Sequence, residues 1–165
     1  MLLIIYLKIM ESIKDKSALV TIFWGGLIAG ILSVNAAVVV YWFFKDLNPF
    51  HVLQYVASGV FGPSTINGGL VYVVVGVMFH FVIAYTFAFF FFFIYPKVGY
   101  IKNNIIVAGL VYGLSIWLFM NAIILPNSNI PKSPMDFVSV IEALWHMVLV
   151  GLPITIITDK YYQKK

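Results

Sequence analysis

The chain has 165 residues, 62% of them hydrophobic and only 10% charged, with a net charge of +4 and no cysteine. A soluble domain carries about 25% charged residues, so this balance points to a multi-pass membrane protein with a single membrane domain. The missing cysteines exclude a disulfide framework, a thiolate metal site and a cysteine nucleophile.

All basic residues are lysine. Any anion site must therefore use point charges or backbone N–H groups rather than bidentate guanidinium clamps. The lysines sit at the ends of apolar runs, where they meet lipid headgroups rather than nucleic acid. Residues 1–16 are apolar first and charged afterwards, the reverse of a secretory signal. Residues 2–13 read as a short helix on the membrane surface or on a partner, with Met10 as an alternative start.

Four apolar runs reach the ~20 residues needed to cross a bilayer core. They cover about 17–44, 68–95, 104–125 and 137–158. Pro96 closes the second and Pro126 the third, while Asp159 and Lys160 follow the fourth. The predicted fold is an all-α membrane bundle of four transmembrane helices. Between the first two spans, residues 49–61 are too short to cross and read as an outer re-entrant or interfacial helix. Asn48-Pro49 signals its start, and Gly59, Gly62 and Pro63 its end. The loop 126–134 holds three prolines and reads as a stiff connector. His51, Gln54, Tyr55 and Ser58 are the polar residues of the outer loop element.

Lysine placement predicts orientation. Lys8, Lys14, Lys16, Lys97, Lys102, Lys160, Lys164 and Lys165 share one side, and only Lys45 and Lys132 the other. Both termini are therefore expected in the cytoplasm. The run Phe87–Phe93, with six Phe in seven positions, reads as lipid-facing bulk. Gly26, Gly30 and Ser33 form a stripe of small residues on span one, and Gly69 and Gly76 one on span two. Such stripes let membrane helices approach closely, either within a bundle or between subunits.

Glu142 is the only charged residue inside a span. An intramembrane carboxylate costs roughly 2.5–3.5 kcal/mol on insertion scales and marks a site or a partner. His146 lies one helical turn beyond it. Counting 1.5 Å per residue puts His80 ~18 Å and His146 ~14 Å deep, both near the middle of a ~30 Å core. The cluster His80, Glu142 and His146 supports three readings. It is a helix-locking network in which a histidine donates to Glu142 or to a hydroxyl such as Ser33 or Tyr112, a proton or small-solute pathway, or a ligand set for haem or a divalent metal. Asn35 lies opposite the small stripe and is expected to bond another helix or subunit, and the four tryptophans are expected in interfacial belts. No serine-hydrolase frame, phosphate loop or metalloprotease motif occurs, so nothing marks an enzyme.

Two further elements recur together: Gln54-Tyr55-Val56-Ala57-Ser58-Gly59 and Gly76-Val77-Met78-Phe79-His80-Phe81. With Gly26, Ala29, Gly30, Asn67-Gly68-Gly69 and Gly151-Leu152-Pro153-Ile154, they make the chain resemble a family of small uncharacterised bacterial inner-membrane proteins of the YagU-like kind. Members often carry an acid in the first span where this chain has Ser33. The resemblance implies four spans and a bacterial cytoplasmic membrane, and brings no reaction or substrate. Partners expected from the sequence are the lipid bilayer and a second copy or a larger membrane complex, in which the chain would be a pathway, a redox subunit or a structural accessory.

Overall fold

The computed structural model describes residues 15–97, 103–131 and 134–164. The expected helix at 2–13 lies outside the described residues, as do Lys8, Lys14, Lys102, Lys132 and Lys165. Among the described residues every regular element is helical, and four helical stretches are long and apolar enough to cross a membrane: Lys16–Lys45, Leu70–Lys97, Ile105–Asn127 and Phe137–Tyr162.

Local chemistry sets the boundaries. Helix α1 (Lys16–Lys45) starts where the Asp15 carboxylate accepts from the Ser17 amide at 2.9 Å, and stops at Asp46, whose φ of 52° leaves the helical region. Helix α2 (Pro49–Phe61) is capped by Asn48, carries Pro49 in its first turn, and ends at Gly62 with φ 86°. Helix α3 (Leu70–Ile94) follows Gly69, also at φ 86°. Helix α4 (Ile105–Phe119) is capped by Asn104. Helix α5 (Phe137–Trp145) begins with a capping box, in which Asp136 accepts from the Val138 and Ser139 amides and Ser139 accepts from the Asp136 amide.

Spans three and four are not uniform α-helices. The third widens to a π-helix over Met120–Ile124, and the fourth over His146–Gly151, before α6 (Leu152–Tyr162) resumes. Each π segment ends two residues before a proline, Pro126 and Pro153. Proline lacks an N–H and its ring collides with the carbonyl four residues back. A widened turn relieves that collision, and π segments recur at functional sites.

The bundle is held by close backbone approaches. A Cβ on Gly109 would lie 2.8 Å from the Leu152 side chain, and one on Gly151 would lie 2.6 Å from the Gly113 amide. A Cβ on Gly113 would strike the His146 carbonyl. Spans three and four thus cross backbone to backbone at the π segment. The spacing Gly109-x-x-x-Gly113 is a small-residue signature of close helix crossing.

Gly26 and Gly30 of α1 face Tyr85 and Phe81 of α3. With Ser33 they are buried inside the chain, so this stripe is consumed by intrachain packing and is not available for a second copy. Gly76 packs against the backbone of Leu53 in α2, not against another span. Gly69 is not a packing glycine: nothing lies near its Cβ position, and its role is the positive φ that lets the chain turn into α3.

The phenylalanine run is also corrected. Phe91 and Phe92 are each 1% exposed, whereas Phe90 faces outward. The inner members join Tyr95, Tyr112 and Tyr162 in an aromatic core, with Phe91 4.5 Å from Tyr112 and Tyr95 stacked 4.9 Å from Tyr162. Trp24 and Trp42 are exposed, but Trp145 is buried and Trp117 is half-buried, so the last two do not form a surface belt.

Helix α2 is pinned rather than loose. Buried Gln54 donates to the Gly69 carbonyl and accepts from the Asn67 amide, both at 3.0 Å. Tyr55 donates to the Pro131 carbonyl at 3.1 Å, and Asn129 bonds the carbonyls of Gly59 and Val60. Ser58 is fully buried and donates to the Tyr55 carbonyl at 2.7 Å. His51 is half-buried and makes no side-chain hydrogen bond among the described residues.

Candidate functional site

The three polar residues singled out in the sequence are placed in two groups, not one. His80 belongs to a clamp between α3 and α1. Its Nε2 lies 2.9 Å from the Gly30 carbonyl and 3.2 Å from Ser33 Oγ. A carbonyl only accepts, so Nε2 carries the proton and donates to Gly30. Ser33 donates to the same carbonyl at 3.3 Å. Tyr112 takes no part, because its hydroxyl donates to the Phe87 carbonyl at 2.7 Å.

Glu142 lies in the other group, the sixth residue of α5 and so about 7.5 Å along the helix from its start. Its carboxylate accepts from the Tyr41 hydroxyl of α1 at 2.5 Å. That is the short end for O–H···O⁻ and fits a charge-assisted bond. The indole N–H of Trp117, from α4, is directed to the same carboxylate. It falls short of full hydrogen-bond geometry, which leaves Trp117 Nε1 buried and unsatisfied. Tyr55 of α2 faces the same group: burial first, and the charge of Glu142 second, push its hydroxyl above the ordinary phenol range. Four elements thus converge on one acid.

His146 is attached to Glu142 through the backbone. Its Nδ1 lies 2.7 Å from the Glu142 carbonyl, so Nδ1 donates there and Nε2 keeps its lone pair. The i and i+4 side chains therefore do not bond each other. His146 stacks on Trp145. The order from the α2 end of the bundle towards its middle is Tyr41 and Glu142, then His146, then His80 with Ser33.

The α2 end is closed above this group by the ion pair Lys45–Asp136, which joins the end of α1 to the start of α5. Lys45 first of all, by donating to the carboxylate, holds Asp136 below the usual carboxylate range. Among the described residues no three His, Asp or Glu side chains converge closely enough to hold a metal ion. Glu142, His80 and His146 are therefore not a three-ligand centre.

Asn35 is exposed and donates to the Ile31 carbonyl of its own helix, and among the described residues it bonds no other helix. The partners of Glu142 were missed in the sequence. Trp117 read there as a belt aromatic and nothing marked Tyr41; only their height, near the α2 end of their helices, hinted at the acid. No protein-family model, curated protein or solved structure matches the chain.

Proposed function

We propose that this is a multi-pass membrane protein whose intramembrane carboxylate, Glu142, exchanges protons as part of a pathway for protons or a small solute. The observation that carries the reading is the Tyr41–Glu142 hydrogen bond, at 2.5 Å, inside a helical bundle where no cation pairs with the acid among the described residues. A buried carboxylate paired only with neutral donors is costly to keep charged, and intramembrane acids and histidines recur in proton relays. The Nε2 of His146, which keeps its lone pair, supplies the next acceptor towards the middle of the bundle, and His80 on α3 is a further titratable group. The lysine excess at the terminal end supports an orientation with both chain ends in the cytoplasm, and the family likeness supports a bacterial inner membrane. Infrared difference spectroscopy across pH tests the site. A carboxyl band that titrates in the wild type and vanishes in Glu142→Gln is expected. A spectrum unchanged by the substitution overturns the reading.

A structural accessory role is the second reading, favoured by one observation. Both bonded histidine nitrogens are spent on helix carbonyls, Gly30 and Glu142, which is how a register lock is built. His80→Phe separates the two. A lock predicts loss of folding with it, whereas the pathway predicts a folded protein with slowed transfer.

A further inference from the structure

At the terminal end of the bundle a groove of about 460 Å³ opens between the start of α1 and the end of α6. Lys16, Lys160 and Lys164 line it. One turn inward from these lysines its walls are apolar, with Val20 on α1 and Ile157 on α6. The groove therefore changes from cationic to apolar along the direction in which a membrane changes from headgroup to acyl chain.

Two acids stand beside the groove and offset part of its charge, leaving three lysines against two carboxylates. Asp15 accepts from the Ser17 amide and hydroxyl and from the Tyr161 hydroxyl at 2.8 Å, which ties α1 to α6 across the groove. Asp159 accepts from Tyr95 and from Gln163. The one ion pair among the described residues, Lys45–Asp136, is at the opposite end. The contrast is between a lysine used to close the bundle and three lysines gathered around a cleft.

The groove's hydroxyls are already committed as donors. Ser17 donates to Asp15 and Thr21 to the Ser17 carbonyl. A phosphate oxygen only accepts, so recognition of an anion falls to the lysines.

We infer that this groove seats one anionic phospholipid, its phosphate among Lys16, Lys160 and Lys164 and one acyl chain along Val20 and Ile157. Basic pockets between membrane helices hold acidic headgroups by this combination of point charge and apolar stem. The seat is independent of Glu142 and lies at the other end of the molecule.

The test is lipid titration of the purified full chain in micelles, followed by native mass spectrometry, with phosphatidylglycerol and phosphatidylcholine of equal chain length. The wild type is expected to bind one phosphatidylglycerol about tenfold more tightly than phosphatidylcholine. The exposed triple variant Lys16→Gln, Lys160→Gln, Lys164→Gln is expected to bring that preference below about twofold. Ile157→Trp, which fills the apolar part, is expected to weaken both lipids. Lys97→Gln, at the same end but away from the groove, is expected to change nothing. Equal binding of the two lipids by the wild type overturns the inference. So does an equal loss with Lys97→Gln, which would mean diffuse charge rather than a seat. Displacement of phosphatidylglycerol by millimolar inorganic phosphate would make this a soluble-anion site and would also overturn it.

Discussion

Tyr41 reaches Glu142 from 101 positions away in sequence, and that distance explains why one was legible and the other was not. Glu142 announces itself, because a lone acid in an apolar run has no other explanation than a site or partner. Its donors depend on how α1 and α4 rotate about their own axes, which the phase of α5 alone does not determine. The same limit split the expected trio. Depth along the helix placed His80 near the middle of its span, but its acceptor is a backbone carbonyl, that of Gly30. Tyr41→Phe removes the only full hydrogen bond that the carboxylate group receives from another helix among the described residues. It is expected to cost about 1–3 kcal/mol in unfolding measurements, while Phe at the half-buried Tyr72, whose hydroxyl makes no hydrogen bond among the described residues, is expected to cost far less. Equal stability of Tyr41→Phe and the wild type would show that the carboxylate does not depend on this donor.

The elements follow from punctuation that the sequence displays: Asn48-Pro49, Gly62, Pro96, Asn104 and Asp136 each sit at a boundary for a local reason. The π segments were not legible as such. Pro153 warned of a break, but whether the helix kinks or widens depends on the neighbour, and here Gly109 and Gly113 let span three press against the widened turn. Gly113→Ala would drive a methyl into the His146 carbonyl, which has no flexible side chain to yield. A loss of about 1–3 kcal/mol or more is expected from such overpacking, read as a lowered midpoint of thermal unfolding. Gly59→Ala meets only ordinary contacts with Ile130 and Ser128, has no such backbone obstacle, and is expected to be far milder. A reversed order of the two variants would contradict the proposed crossing. Helix α2 is part of the same logic, since Gln54 satisfies both a carbonyl and an amide of the 62–69 turn and fixes where α3 begins.

For the whole molecule, polarity is divided between the two ends. The α2 end is closed by Lys45–Asp136, and the terminal end carries the open lysine groove. Asp136 is held below its ordinary range in the folded state, chiefly by the hydrogen bond from Lys45. A depressed carboxylate contributes stability that is present above its unfolded value and is lost as pH falls through the folded one. Acidification should therefore lower the unfolding midpoint in the wild type, and Asp136→Asn should flatten that part of the profile. An identical acid limb in both proteins would contradict the closure. Between these two ends, the Tyr41, Glu142 and His146 group is where, among the described residues, titratable side chains continue from the α2 end towards the middle of the bundle. The most direct measurement is proton flux into proteoliposomes, followed with an internal pH dye under an imposed gradient, for the wild type and Glu142→Gln at matched reconstitution. The account predicts a wild-type flux above that of empty vesicles that falls at least about tenfold with the substitution. Flux at the level of empty vesicles in the wild type, or equal flux in both proteins, would contradict it.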